Sequence, residues 1–334
     1  MSKKTIKDIK LSVLDLVPAL EGVDHKTAIE NSLSLAQHLD KLGFHRLWIS
    51  EHHNTDGLLS SATVVILGYL LQGTKNIRVG SGGIMLPNHA PLVVAEQMGT
   101  LATLYPNRVD LGLGRAPGTD QLTAKALRRE RTESVHDFPK DVQELQFFLS
   151  HHSKNSAVRA IPGEGTNVPL YLLGSSTFSA QLAAALGLPY AFASHFAPTY
   201  LFEALDIYKQ KFQPQDQIEK PYTIAGINVV IADTTEEAEF LATSGNQFRL
   251  SIIRNERKPL QPPVKNMDEI WNPMEKAQVE KMGYFSFVGN PEKVKKEINA
   301  FVDQTNVDEL IVSTYCYDQK AQHKSFQLLK EMQE

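Results

Sequence analysis

The stretch LWISEHH at residues 47–53 passes from apolar residues directly into a serine, a glutamate and two histidines. The same change, from an apolar run to small, polar or ionisable residues, follows IRV at 77–79, DLGL at 110–113 and LYLL at 170–173. If these runs are parallel strands, their ends lie on one face of the sheet, where α/β enzymes keep their active sites. The sequence therefore predicts an enzyme whose site is assembled from several separate loops.

Strand-like runs alternate with segments of helical periodicity along the whole chain. The strands are predicted at 10–16, 46–50, 77–85, 108–114, 170–173, 190–194, 223–231 and 309–315, and the helices at 24–42, 60–72, 91–104, 137–149, 176–186, 198–212, 234–253 and 318–332. Eight such pairs in 334 residues favour a (β/α)8 TIM barrel within the α/β class. A doubly wound sheet, the competing fold, would carry a glycine-rich dinucleotide turn after its first strand, and VPAL at 17–20 is not such a turn.

We expect one barrel domain over residues 1–334, because no internal repeat or low-complexity linker divides the chain. Two insertions interrupt the alternation: residues 116–136 after the fourth strand, and residues 255–287 after the seventh strand and its helix. Long irregular segments in compact domains are often functional loops, so we expect the second insertion to be the more mobile and to cover the site. A further short strand is predicted at 157–161.

The composition excludes several classes of protein. A net charge of −4 and a pI near 6.3 argue against a nucleic-acid or anionic-membrane partner, which would need a clustered basic surface. The single cysteine, Cys316, excludes an internal disulfide and fits a reducing compartment. No apolar window approaches about 18 residues, so no membrane span is expected. We therefore expect a cytoplasmic protein.

Two groups of residues at predicted strand ends are candidates for binding an anion. Arg115 stands where the fourth strand meets its loop, and a guanidinium there could bind a phosphate through two parallel hydrogen bonds. Residues 174–179 (GSSTFS) open a strong helix former, and a helix N-terminus attracts anions through its free N–H groups. The alternatives are an ion pair of Arg115 with a carboxylate such as Glu51, and ordinary N-capping by Ser175 or Ser176.

Histidines and glycines supply two further candidates. Because imidazole titrates near neutral pH, acid–base or hydrogen-bonding work beside a cofactor is the favoured role for the pair His52 and His53. With His89 and His195 they could also form a metal site, or they could simply pack in the barrel mouth. Residues 80–83 (GSGG) place three glycines at a strand end, where either a flat ligand approaches closely or the strand forms a bulge.

Taken together, these motifs resemble the bacterial luciferase-like family of flavin-dependent monooxygenases, particularly its single-chain members of uncertain substrate. The resemblance covers most of the chain and is carried by residues 48–53, 79–91, 111–115, 174–176 and 187–189, together with Ser179. It implies a TIM barrel that binds FMN at the C-terminal face of its strands and pairs with a second copy as a homodimer.

The resemblance also implies roles for individual residues. The FMN phosphate would be held by Arg115 and by the residues at the helix start, namely Gly174, Ser175, Ser176 and Ser179. Gly82 and Gly83 match the place where family members carry a non-prolyl cis peptide under the isoalloxazine ring. His52 matches the family's catalytic histidine.

The predicted activity is FMN-dependent monooxygenation of an unknown small organic substrate, with reduced flavin and molecular oxygen. No nicotinamide-binding fingerprint is present, so we expect a separate flavin reductase to supply reduced FMN, although some relatives take NAD(P)H directly and some use a deazaflavin. The light-emitting relatives carry a cysteine at the position of Gly114 and a glutamate at that of Ser175, so light emission is not expected. The alternatives are a non-catalytic flavin-binding or storage protein and a metal-dependent barrel hydrolase.

Overall fold

Nine parallel strands and eleven α-helices make up the part of the chain that the computed structural model describes, residues 3–116, 118–127, 137–215 and 218–334. The strands are β1 (Lys10–Asp15), β2 (Arg46–Ile49), β3 (Arg78–Met85), β4 (Val109–Gly114), β5 (Leu170–Gly174), β6 (Tyr190–Phe192), β7 (Thr223–Ile231), β8 (Ser286–Gly289) and β9 (Glu309–Ser313). The helices are α1 (His25–Leu42), α2 (Thr63–Gly73), α3 (Pro91–Leu104), α4 (Gln121–Leu127), α5 (Phe138–Leu149), α6 (Thr177–Ala185), α7 (Leu201–Lys211), α8 (Thr235–Ile253), α9 (Pro273–Met282), α10 (Pro291–Thr305) and α11 (Gln319–Glu331). Short 3-10 helices lie at Ile6–Asp8, Leu86–Asn88, His151–Asn155 and Met267–Glu269.

Eight of these strands close a barrel. Each strand from β1 to β5 pairs in parallel with the next one, β6 pairs with β7, β7 with β9, and β9 with β1. Lys10 lies opposite Glu309 where the barrel closes, and Val13 lies opposite Leu47 on the other side of β1. Parallel neighbours need a crossover connection, which the helices supply. The predicted (β/α)8 barrel is confirmed.

The ninth strand, β8, is absent from the sequence prediction. It pairs with the far half of β7, residues 228–231, beyond the residues of β7 that pair with β6. The predicted insertion at 255–287 therefore contains α9 and the beginning of β8 rather than irregular chain alone. In the first predicted insertion, the described part contains α4, while residue 117 and residues 128–136 lie outside the described residues.

The short strand predicted at 157–161 is wrong. These residues form no strand in the structure. The carbonyl of Ala160 accepts the N–H of Glu164 at 2.7 Å, and the N–H of Asn167 bonds the carbonyl of Leu149 at 3.0 Å. The Ala160 carbonyl thus closes a turn, and it is not available to a neighbouring strand.

Two buried layers fill the barrel below the C-terminal strand ends. In the lower layer, the Arg46 guanidinium is 2% exposed and donates to Asp110 Oδ2 at 2.8 Å and to Glu309 Oε2 at 3.1 Å. The layer above it is an apolar cluster of Leu14, Trp48, Tyr171, Ala191, Ile224 and Ile311. Because the interior is packed in this way, space for a ligand lies at the C-terminal end of the barrel.

Two expectations from the composition concern Cys316 and membrane insertion. Cys316 is buried, and burial raises the pKa of its thiol to about 12. The thiol is therefore protonated and a poor nucleophile at neutral pH. Among the described helices, none is both long enough and apolar enough to cross a bilayer.

Candidate active site

A cavity of about 560 Å³ opens at the C-terminal ends of the barrel strands. Its volume falls within the range of small-molecule sites, roughly 300–1,000 Å³. All eight candidate site residues from the sequence line its wall, namely His52, Gly82, Gly83, Arg115, Gly174, Ser175, Ser176 and Ser179. They meet there because parallel strands bring their carboxyl ends to one face.

Arg115 lies against the first turn of α6. Its Cζ atom is 4.2 Å from the ring centroid of Phe178, the second residue of that helix. Ser176, the N-cap residue, has an extended backbone (φ −141°, ψ 164°), and its side chain caps no helix N–H group. The guanidinium and this uncapped turn, with its free N–H groups, therefore lie at one part of the cavity wall.

Neither the ion pair of Arg115 with Glu51 nor the N-capping of α6 by Ser175 or Ser176 is observed. Glu51, the carboxylate considered as an ion-pair partner, accepts hydrogen bonds from His53 Nε2 and His89 Nε2, each at 2.9 Å, and from the Met85 N–H at 3.2 Å. Within the described residues, Arg115 has no carboxylate partner. N-capping of α6 by a serine side chain is also not observed. Both groups thus have hydrogen-bonding capacity left for a ligand.

Ser179 and Gly174 hold the loop before α6 in place. The Ser179 hydroxyl donates to the carbonyl of Ser176 at 2.8 Å and lies 3.2 Å from the hydroxyl of Tyr190. A Cβ atom at position 174 would lie 1.9 Å from Ser179 Oγ, so only glycine fits there without displacement. The Ser179 hydroxyl is therefore engaged inside the protein, and the group it can offer the cavity is its backbone N–H.

The peptide bond between Gly82 and Gly83 is cis, as the family resemblance implies. The pairing of β3 with β4 also shifts register between Gly82 and Ile84, so the bulge considered from the sequence is present. A Cβ at position 82 would lie 2.8 Å from Trp48 Cβ, and one at position 83 would lie 2.7 Å from the carbonyl oxygen of Gly112. The protein itself therefore requires both glycines, and they present a surface without side chains to the cavity.

His52 enters the cavity wall from the end of β2. Its Nδ1 atom lies 3.1 Å from Ser50 Oγ, which leaves Nε2 for a ligand. Burial lowers the pKa of the imidazole to about 4, so His52 is neutral near pH 7. A neutral, oriented imidazole can donate or accept a single proton, which suits hydrogen bonding or acid–base work.

Glu51, His53 and His89 form a group whose ligand atoms lie within 4.8 Å of one another. Two imidazoles and a carboxylate can bind zinc, but both Nε2 atoms here are at hydrogen-bonding distance from Glu51 Oε1. Burial alone would raise the pKa of Glu51; the bonds from the two histidines outweigh it and lower that pKa to about 2. His52 and His195, the other histidines considered for a metal site, lie outside this group.

Two further wall residues are not assigned to a flavin site by the sequence reasoning. Arg249, on α8, is 7% exposed and lines the cavity; in the sequence it looks like an ordinary polar residue of a helix. His195, after β6, enters the sequence reasoning only as a metal ligand. Burial lowers the pKa of His195 to about 3. Its ring packs directly on Gly226, where an added Cβ would lie only 2.3 Å from His195 Nδ1.

A model of the family described as luciferase-like monooxygenase matches residues 9–309. The chain belongs to this family. It is 48% identical to a protein of Escherichia coli (strain K12) named luciferase-like monooxygenase, over 99% of this chain and 98% of the relative. It is 31% identical to the N-acetyl-S-alkylcysteine monooxygenase of Bacillus subtilis (strain 168), over 97% of this chain and 98% of the relative.

Solved structures of other proteins share the barrel. The structure of apo-MsnO8 superposes with a TM-score of 0.85 at 31% identity, covering 97% of this chain and 98% of the other. The oxygenating constituent of 3,6-diketocamphane monooxygenase of Pseudomonas putida, in complex with FMN, has a TM-score of 0.72 at 16% identity, covering 97% of each chain. An F420-dependent secondary alcohol dehydrogenase has a TM-score of 0.72 at 14% identity, covering 98% and 99%. The last two show the fold alone.

Membership in the luciferase-like monooxygenase family confirms two predictions made from the sequence, the resemblance itself and the enzyme class, a monooxygenase. In this luciferase-like monooxygenase, four of the five stretches that carry the resemblance, and Ser179, contribute residues to the cavity wall; residues 187–189 do not. The cavity is therefore the candidate active site.

Proposed function

We propose that this chain is an FMN-dependent monooxygenase that acts with reduced flavin and molecular oxygen on a small organic substrate. The observation that carries the proposal is the contact of Arg115 with the uncapped first turn of α6 at the cavity wall. A phosphate bound there would receive hydrogen bonds from helix N–H groups and from a forked guanidinium. The luciferase-like family supports the same reading.

The residues at this end of the cavity fit the phosphate of FMN. Gly174, Ser175 and Ser176 bring backbone N–H groups and two hydroxyls to the start of α6. Ser179 would contribute its N–H group, because its hydroxyl is bonded to the Ser176 carbonyl. A dianion in this position would also be stabilised by the helix dipole.

Gly82 and Gly83 fit a flat ring. Both glycines line the cavity, and a side chain at either position would collide with the barrel wall. We assign the isoalloxazine ring to this surface. The FMN-bound 3,6-diketocamphane monooxygenase supports FMN as the flavin, and the F420-dependent dehydrogenase makes a deazaflavin the second candidate.

Reduced FMN, when bound, would supply the electrons that activate molecular oxygen. The chain's own contribution is positioning, proton control and exclusion of water. His52 is held by Ser50 and is neutral near pH 7, so its Nε2 atom can hold or accept one proton beside the ring. Leu14, Trp48 and Ile311 give the floor of the cavity an apolar surface, which limits the water that reaches the reacting groups.

We further propose that a separate reductase supplies the reduced FMN and that the enzyme is a homodimer in the cytoplasm. The first part follows from the lack of a nicotinamide-binding fingerprint in the sequence. The homodimer follows from the family resemblance. Activity that depends on an added NADH-dependent flavin reductase, and a molecular mass of two chains in light scattering, are the expected results.

Anaerobic titration of the purified protein with reduced FMN, followed by mixing with oxygen, tests the proposed function. We expect reduced FMN to bind more tightly than oxidised FMN, and its reoxidation by oxygen to be slower than that of free reduced FMN. Tighter binding of oxidised FMN with no change in reoxidation would indicate a flavin-storage protein. Preference for reduced F420 would indicate a deazaflavin enzyme, and stoichiometric zinc without flavin affinity would indicate the hydrolase.

A further inference from the structure

The cavity wall carries more positive charge than a flavin phosphate requires. Among the described residues, four cationic side chains line it: Arg115, Arg249, Arg257 and Lys258. Two of them have carboxylate partners, because Arg257 Nη2 lies 3.6 Å from Asp120 Oδ2 and Lys258 Nζ lies 2.8 Å from Glu256 Oε2. Among the described residues, Arg115 and Arg249 have none. The proposed phosphate accounts for Arg115 and leaves Arg249 without an anion.

Arg249 is the more demanding of these two arginines because it is buried. A guanidinium that is 7% exposed has lost most of its hydration, and such a loss is unfavourable unless an anion compensates it. Burial accordingly lowers the pKa of Arg249. Within the described part of the cavity wall, the acidic side chain is Asp120, and it already faces Arg257. The compensating charge for Arg249 is therefore expected from a ligand.

The hydrogen bonds of Arg249 leave room for that ligand. Its Nη1 donates to Asn246 Oδ1 at 3.2 Å, its Nη2 donates to Ser286 Oγ at 3.1 Å, and its Cζ lies 5.8 Å from the ring centroid of Tyr315. A guanidinium has five N–H donors. Three of them have no acceptor among the described residues, and two parallel N–H groups are enough to bind a carboxylate in bidentate fashion.

Two glycines hold the Arg249 side chain in a fixed position. A Cβ at Gly283 would lie 3.2 Å from both Cζ and Nε of Arg249, so the chain after α9 packs directly on the guanidinium. A Cβ at Gly245 would lie 3.1 Å from Tyr315 Cβ and 3.6 Å from Arg249 Nη1. The guanidinium is thus confined before a ligand arrives, which reduces the entropy lost on binding.

We propose that Arg249 binds a carboxylate group of the substrate and thereby selects small organic acids. The proposal rests on the monooxygenase function proposed above for the same cavity. Near Arg249 the wall is apolar, with Phe248, Ile252 and Met282. The substrate class is therefore an acid with one carboxylate and an apolar remainder, the carboxylate fixing the orientation of the part that is oxidised.

Paired probes test this proposal on the FMN-saturated protein. Straight-chain carboxylates from propanoate to octanoate are titrated alongside the amide of the same chain length, with calorimetry as the readout. At least one carboxylate is expected to bind about tenfold or more tightly than its amide. The same preference is expected to vanish in Arg249→Met and to persist in part in Arg249→Lys. Equal binding of every pair by the unaltered protein, or a preference that survives in Arg249→Met, would overturn the proposal.

Two controls separate this proposal from the proposed function. Arg249→Met removes an uncompensated buried cation, so its thermal midpoint is expected to equal or exceed that of the unaltered protein, and its FMN affinity is expected to stay the same. Arg115→Gln is expected to lose FMN affinity and to keep the carboxylate preference in the FMN-free protein. If Arg249→Met loses FMN affinity instead, the arginine serves the flavin and the substrate proposal is wrong. If the unaltered protein prefers carboxylates but binds no flavin, the proposed monooxygenase function is wrong and the carboxylate site at Arg249 stands.

Discussion

The Arg115 guanidinium lies over the ring of Phe178, with Cζ 4.2 Å from the ring centroid. This contact joins the end of β4 to the first turn of α6, two elements that are separated by more than sixty residues in the chain. A cation–π contact of this kind holds the guanidinium against the first turn of α6 before any ligand binds. The proposed phosphate site is therefore largely preformed.

Phe178→Leu tests whether this contact positions Arg115. The cation–π contact is worth about 0.5–1 kcal/mol at a partly exposed site, so the dissociation constant for FMN is expected to rise about two- to fivefold. Flavin fluorescence quenching measures the change. Phe147→Leu, at a similarly exposed phenylalanine on α5, is the matched control and is expected to bind FMN normally. If Phe178→Leu binds FMN as tightly as the control Phe147→Leu, Phe178 does not position Arg115.

Gly174→Ala tests the packing of the loop before α6. The new Cβ would lie 1.9 Å from Ser179 Oγ, so the free energy of unfolding is expected to fall by about 1–3 kcal/mol. Gly68→Ala, in α2, is the control, because the nearest side-chain atom there lies at 3.5 Å and alanine favours the helix by about 1 kcal/mol. Urea unfolding of both variants gives the comparison. A Gly174→Ala protein as stable as the unaltered one would show that the loop can relax.

His52→Ala tests the role of the imidazole. Because His52 is not placed at the phosphate end, the affinity for reduced FMN is expected to stay within about twofold, a change of less than 0.5 kcal/mol. Reoxidation of the bound flavin by oxygen is expected to become faster, with more hydrogen peroxide released, since the oriented proton donor or acceptor is gone. Stopped-flow absorbance after mixing with oxygen measures the rate. Ser50→Ala, which removes the Nδ1 partner and keeps the imidazole, should show a smaller change. Full retention of oxygenation by His52→Ala would refute the assignment.

Acid should weaken the fold below about pH 6.5. The pKa of His195 is about 3 and that of His52 about 4 in the folded protein, both lowered by burial from 6.5. Between these values and pH 6.5 the unfolded chain binds protons that the folded chain does not, so stability falls as the pH falls. Each histidine contributes up to about 1.4 kcal/mol per pH unit in that window.

The measurement is urea unfolding of the unaltered protein and His195→Asn at pH 7.0 and at pH 5.0. Any stability that His195→Asn loses through poorer packing is lost equally at pH 7.0 and at pH 5.0. The change in the free energy of unfolding between the two pH values therefore isolates the effect of protonation. The variant is expected to lose less stability than the unaltered protein on acidification. An identical pH dependence would mean that His195 is not the buried neutral group described here.

The barrel and the part of the cavity wall at the strand ends could be predicted from the sequence because both depend on local patterns. Apolar runs mark the strands, and the residues that follow each run lie together in a parallel barrel, so Arg115 and Ser176 could be placed on one face without a structure. Strand β8 escaped prediction because it has only four residues and continues a proline-containing segment. Its pairing with the far half of β7 depends on contacts between distant parts of the chain.

Arg249 illustrates a second limit of the sequence. An arginine in the middle of a helix resembles a solvent-exposed residue, and its burial follows from the packing of Ser286 and Tyr315 around it.

The sequence also could not distinguish a glycine that lies against a ligand from a glycine that the fold requires. At Gly82 and Gly83 the structure shows collisions of an added Cβ with Trp48 and with Gly112. Such contacts between elements leave no local signature.

The most direct measurement of the central claim compares the anaerobic binding of reduced FMN and reduced riboflavin, which lacks the phosphate, to the unaltered protein and to Arg115→Gln. The loss of charged hydrogen bonds to a phosphate predicts that FMN affinity falls about ten- to hundredfold while riboflavin affinity stays the same. Unchanged FMN affinity, or an equal loss for FMN and riboflavin, would show that Arg115 and the start of α6 do not hold a flavin phosphate.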